Sequence, residues 1–276
     1  MAKNSGIFRD LGIGAITLLL LVLAPPVAAH AGEIVVAAAA DLTFAFKDVG
    51  ERFQRETGNS IKLSYGSSGN FLSQIENGAP YDMFFSADVA YPKKLEADGL
   101  AEPGTLYEYA TGKLVIWVPA KSKLDISQGL KVLLDPSISK IAIANPKHAP
   151  YGAAAVAALQ HEGIYDRIKS KLVMGENISQ TAQFVQSGNA DAGLLALSLA
   201  LAPAMKDTGR YIEVPLADYP PIIQAAVILK SARNKEIAKR FLKFLKEAGT
   251  VALMRRYGFL LPSEIAGVQA NPSAPN

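Results

Sequence analysis

The sequence predicts an α/β fold of two lobes, each a mainly parallel sheet flanked by helices. Three observations predict it. Short apolar runs of strand length alternate with amphipathic stretches of helix length along the chain. The turns between run and helix are built repeatedly from small residues, at 37–43, 65–70 and 145–152. No low-complexity linker separates the earlier units from the later ones, so two lobes joined by crossing strands fit better than two separate beads. With 276 residues, half of them hydrophobic, the chain can bury a core of that size.

The elements follow in order. Ile34-Val35-Val36 reads as a buried strand leading through Ala37-Ala38-Ala39-Ala40-Asp41-Leu42-Thr43 into a helix. Leu42, Phe46, Val49 and Phe53 recur at helical spacing, and Gly58 is the stop. Ile61, Leu63 and Tyr65 alternate as in a strand, and Phe71, Leu72 and Ile75 mark a second helix. Between them lies Tyr65-Gly66-Ser67-Ser68-Gly69-Asn70, a glycine turn opening a helix, with unpaired N–H groups and hydroxyls suited to an oxyanion. Strands are expected at 82–85, 112–119, 141–144, 190–195 and 222–229. Helices are expected at 93–98, 129–134, 153–161 and 181–186, with a last one carrying Ile237, Phe241, Phe244 and Leu245 on one face.

The N-terminus reads as a secretory leader. Lys3 and Arg9 precede an apolar run at 11–24, and Pro25-Pro26 and Ala29-His30-Ala31 follow. That run is short of the roughly 20 residues a membrane span needs. Cleavage is expected after Ala31, which places the mature chain outside the cytoplasm. Lys and Arg total 28 against 25 Asp and Glu, with no basic block interleaved with aromatics, so no nucleic-acid partner is expected. The absence of cysteine excludes disulfides and thiol chemistry. Asp82, Asp88 and Asp191 are scattered, and no residues have metal-ligand spacing. Ser68 in a glycine turn raises a serine hydrolase as a distant alternative, but Gly66-Ser67-Ser68-Gly69 departs from G-x-S-x-G. His148 and His161 are the only histidines left as a base after leader removal.

The segments 38–43, 65–69, 78–88, 145–152 and Tyr257-Gly258-Phe259, in this order and spacing, resemble the periplasmic molybdate-binding proteins of ABC transporters. The resemblance spans about residues 33–263. It implies a two-lobed type II periplasmic binding protein that closes on a tetrahedral oxyanion through hydroxyls and N–H groups, without a counter-charge. It implies no enzyme activity and no cofactor. The implied ligand is molybdate or tungstate, with phosphate or sulfate as the alternative. The implied partner is an inner-membrane permease with its ATPase, and a periplasmic monomer is expected. The implied division is a signal peptide at 1–31, lobe I at 32–113 with 222–264, lobe II at 114–221 and a loose tail at 265–276, with hinges at 113–118 and 222–226.

Residue by residue, the resemblance implies Ser68 as hydroxyl and amide donor, Tyr151 as a donor at a helix mouth, and Ile178 as a backbone N–H donor. The opening ligand position falls on Ala40 or Asp41. A tyrosine that some members carry after the strand at Gly193 is Ala196 here, so Tyr151 is expected to stand in for it. Asp41 is the departure: a carboxylate facing a dianion repels it. Two readings follow. Asp41 turns away to cap its helix, or it faces the ligand and accepts a proton.

Overall fold

Ten strands rich in Val, Ile, Leu and Ala form two five-stranded sheets in a computed structural model that describes residues 1–2 and 32–261. The expected leader cleavage and the tail from 265 lie outside the described residues. The first sheet contains β1 (Glu33–Ala39), β2 (Ser60–Gly66), β3 (Met83–Ser86) and β4 (Tyr107–Gly112). The chain then crosses through Lys113 into the second sheet: β5 (Leu114–Pro119), β6 (Ile141–Ala144), β7 (Leu172–Gly175), β8 (Ala192–Ala196) and β9 (Gly209–Glu213). It returns as β10 (Ile222–Ile228) to the first sheet.

The orders are β2-β1-β3-β10-β4 and β7-β6-β8-β5-β9. In the first sheet β1 runs parallel to β2 and β3, and β10 runs antiparallel to β3 and β4. In the second, β6 runs parallel to β7 and β8, and β5 runs antiparallel to β8 and β9. Each sheet is therefore mixed, with one reversed strand, and that strand is the one arriving from the other sheet. Parallel neighbours need a helical crossover over their own sheet, which a strand entering from outside does not have.

Local chemistry explains the main boundaries. The helix Thr43–Thr57 ends on Gly58, whose φ of 73° is the left-handed closing conformation. Its apolar face, with Phe46, Val49 and Phe53, packs edge-to-face on Phe85 and Phe241 in one core. Such ring pairs each contribute about 0.5–1.5 kcal/mol beyond burial. A second core surrounds the buried Trp117 on β5. Three elements carry no clear sequence signal. β7 and β9 are short and partly exposed, and the helix Ala248–Arg256 has a weakly segregated apolar face. The expected strand at 112–119 is divided at Lys113 between the sheets. The helix expected at 129–134 is instead 3-10 structure over Ile126–Leu134, interrupted at Gly129 with φ 61°.

Candidate functional site

Small-residue turns let four helix starts approach one another. Ala40–Leu42 forms a single 3-10 turn ahead of the helix Thr43–Thr57. Ser67, extended, precedes the helix Ser68–Glu76. Pro150 opens the helix Pro150–His161, where its missing N–H costs nothing. Asn177 caps the helix Ile178–Gln186, its Oδ1 accepting from the N–H groups of Ser179 and Gln180 at 3.0 Å each. That cap leaves the Ile178 N–H, the first of its helix, without a partner among the described residues. Residues 39–41, 66–68, 87, 149–151, 177 and 178 line one cleft. All five positions singled out in the sequence, Ala40, Asp41, Ser68, Tyr151 and Ile178, are among them.

Each lining side chain has a defined state. Ser68 is buried, and its Oγ accepts from the Ala87 N–H at 3.0 Å. A hydroxyl so held keeps its own O–H free to donate. The Tyr151 hydroxyl donates to Asp41 Oδ2 at 3.2 Å and accepts from Gln224 Nε2 at 3.2 Å. It is therefore committed away from the cleft, which corrects the expectation that this hydroxyl replaces the tyrosine absent at Ala196. What Tyr151 leaves at the helix mouth is its backbone N–H. The cleft contains no Lys, Arg or His among its lining residues, and its one charged group is Asp41.

Asp41 caps neither the turn nor the helix that follows, so the capping reading fails. Its carboxylate is drawn instead into a buried network. Gln224 Nε2 donates to Oδ2 at 2.6 Å, and the Tyr109 hydroxyl donates to Gln224 Oε1 at 2.8 Å. The Tyr109 bond fixes which end of the Gln224 amide faces Asp41. Asp41 Oδ1 is buried and has no partner among the described residues. Burial raises the Asp41 carboxyl to about 6, against the opposing pull of the Gln224 and Tyr151 hydrogen bonds and of Asp41's own backbone N–H. Burial, and secondarily the charge of Asp41, pushes the Tyr109 and Tyr151 hydroxyls well above the usual phenol range, so both remain protonated donors.

The two sheets' segments also meet around the cleft. Gly69 N–H donates to His148 O at 2.9 Å. His148 Nδ1 lies 2.9 Å from Ser67 Oγ, and its Nε2 lies 3.7 Å from Glu176. Asn70 Nδ2 donates to Glu176 as well. Ser179 donates to Ala40 O, and Ser198 donates to Asp41 O, each at 2.8 Å. A Cβ on Gly69 would sit 2.9 Å from His148 Cα, Cβ and O, so only glycine permits this approach. His148 thus pairs with Ser67, not with Ser68, across the cleft.

Sequence reasoning passed over Gln224, Tyr109, Ser179 and Ser198. Gln224 carried one usable signal, since it is the single polar residue in the strand Ile222–Ile228. The serines carried none, because their partners are backbone carbonyls from a distant segment.

Comparison with known proteins fits this architecture. Residues 34–260 match the family model described as bacterial extracellular solute-binding protein. The chain belongs to that family. A solute-binding protein binds and releases its solute unchanged, and it is not an enzyme. The molybdate-binding protein ModA of Rhodobacter capsulatus is 40% identical over 244 residues, covering 88% of this chain and 94% of that protein. ModA of Azotobacter vinelandii is 41% identical over 232 residues, covering 84% and 91%. The solved periplasmic molybdate-binding protein of Azotobacter vinelandii superposes with a TM-score of 0.79 at 38% identity, covering 83% of this chain and 99% of that one. The sulfate-binding protein SubI of Mycobacterium tuberculosis, at 15% identity and a TM-score of 0.70, shares the fold.

Proposed function

We propose that this protein captures molybdate in the cleft between its two sheets and delivers it to an ABC-transporter permease, acting in the periplasm after its leader is removed. Tungstate, of nearly the same size and charge, is proposed as a second ligand. The permease and its ATPase are the proposed partners of a monomeric binding protein. The observation that carries the reading is the convergence of helix starts on a cleft without a cation, beside a Ser68 hydroxyl already oriented by Ala87. Fixed N–H dipoles and hydroxyls hold a desolvated dianion through several charge-assisted hydrogen bonds. The proposed donors are Ser68, the amides of Ala40 and Asp41, and the amides of Tyr151 and Ile178.

Selection by size follows from fixed donors. A large tetrahedral ion reaches all of them, whereas a smaller one leaves some unfilled, each costing about 1–3 kcal/mol. Closure is proposed to turn on residues 113–118 and 222–226, between a lobe of 32–113 with 222–264 and a lobe of 114–221. The ion drives it through contacts made to both lobes only in the closed form. The unpartnered Asp41 Oδ1 favours a second reading, a protonated tetrahedral ion such as phosphate. Titration calorimetry with molybdate, tungstate, sulfate and phosphate decides between them. Tight molybdate binding is expected; tight phosphate binding with none for molybdate would replace the first reading with the second.

A further inference from the structure

The cleft holds a carboxylate beside the proposed oxyanion donors, and neighbouring side chains bond only one of its two oxygens. Asp41 Oδ2 takes two donors, Gln224 Nε2 at 2.6 Å and the Tyr151 hydroxyl at 3.2 Å. Oδ1 is buried to the same degree and takes none among the described residues. The groups packed around the carboxylate are Gln224 from β10, Tyr151 from the helix Pro150–His161, and Tyr109 from β4 acting through Gln224. Ser198, after β8, engages only the Asp41 carbonyl, and Tyr219 acts on Tyr151 rather than on Asp41. None of these is a cation. His148, which does not line the cleft, is held by Ser67 and Glu176. No cation among the described residues therefore neutralises Asp41 when a dianion enters beside it.

We infer that Asp41 is the specificity-determining proton site of the cleft: it binds one proton on Oδ1 as the oxyanion enters, and that O–H becomes a further donor to the ion. The inference rests on the proposed oxyanion function. The balance is simple. Molybdate is unprotonated at neutral pH, so the proton comes from water or buffer acid. No other bond is broken. Asp41 passes from carboxylate to carboxylic acid, and the closed cleft gains a hydrogen bond in place of a repulsion. Oδ2 is already saturated by two donors, which leaves Oδ1 as the atom that can carry the proton. The carboxyl's raised affinity for a proton, set by burial, makes the uptake small in cost near neutrality.

Calorimetry of the whole mature chain with sodium molybdate, at pH 7.5 in three buffers of different ionisation heat, counts the protons. Uptake of about one proton per ion is expected, with affinity falling about tenfold per pH unit above neutrality. In Asp41→Asn, whose amide is a permanent donor, the heat is expected to be independent of buffer and the affinity flat from pH 6 to 8.5. Tight binding by the natural protein with no proton exchange would overturn the inference and leave the molybdate reading standing. So would proton uptake that persists in Asp41→Asn. If that variant fails to fold, the natural protein's buffer dependence still decides. No binding of molybdate or tungstate at any pH would remove the inference together with the reading beneath it.

Discussion

The two halves of this protein are built alike and employed differently. Both sheets have the same strand order and the same single reversed strand, supplied by the crossing chain. Each brings two helix starts to the cleft. The first half brings side-chain chemistry with them: the Ser68 hydroxyl, held by Ala87, and the Asp41 carboxylate. The second half spends its hydroxyls on the first half instead. Ser179, Ser198 and Tyr151 bond to Ala40 O, Asp41 O and Asp41 Oδ2, leaving the amides of Tyr151 and Ile178 at the cleft. The difference teaches that one half turns side chains toward the cleft while the other spends its own on holding the first, although the backbone frame is shared.

That division is broken most severely at Gly69, where the halves touch backbone to backbone. Gly69→Ala places a Cβ 2.9 Å from three His148 atoms. Overpacking of this kind costs about 1–3 kcal/mol, and the lost Gly69–His148 hydrogen bond adds about 1. Affinity is expected to fall about a hundredfold. Thermal stability is expected to hold, since alanine favours the helix Ser68–Glu76 whose first turn includes Gly69. Calorimetry measures the first and a melt the second; natural affinity in the variant would show that closure does not need this contact.

Ser68→Ala tests recognition by the first half alone. It removes one hydroxyl donor and leaves the Ala87 N–H unpaired. Loss of a single charge-assisted bond, about 1.5 kcal/mol, corresponds to about tenfold weaker binding with the fold intact. Unaltered affinity would take Ser68 out of the ion's contacts and shift recognition to backbone amides.

Asp41 makes the stability of the fold depend on pH. Its carboxyl is raised from 3.8 to about 6 by burial, so the folded protein binds a proton more tightly than the unfolded chain does. The stability this contributes is fully present below pH 3.8 and is lost as pH rises to about 6. The full loss is about 3 kcal/mol, and opening the cleft rehydrates the group and reduces it. Asp125, Asp135 and Asp191 are lowered, so their contributions disappear below the usual carboxylate range and do not overlap this window. The ion-free protein is thus expected to lose stability between pH 3.8 and about 6 relative to Asp41→Asn. Parallel melting curves for the two proteins would contradict the burial of Asp41.

The sequence made the frame legible because its signals are local. Strand runs, the Gly58 stop and the small-residue turns each depend on neighbours within a few positions. The turns at Ala40, Ser68, Tyr151 and Ile178 could be marked as candidates for the same reason, and one cleft gathers them. What local signals omit is pairing at a distance. Asp41 was readable as a cap because Asp before a helix usually is one. Its actual partner, Gln224, is 183 residues away. The commitment of the Tyr151 hydroxyl is hidden in the same way, since its partners come from β10 and from the opening turn. The reversed strands escape notice because direction is set by which sheet the chain has left, not by the residues of the strand.

The smallest effect expected is at the outer edge of the contact between the halves. Glu176 accepts from Asn70 and faces His148 Nε2 at 3.7 Å, but its side chain is 55% exposed. A pair so open to water contributes about 0–1 kcal/mol and weakens with salt. Glu176→Gln keeps an acceptor for Asn70 and removes the charge. Molybdate affinity is expected to change by less than about fivefold, with the difference shrinking in high salt. A larger, salt-insensitive loss would mean that Glu176 acts inside the closed cleft, and the second half would then contribute side-chain charge to binding after all.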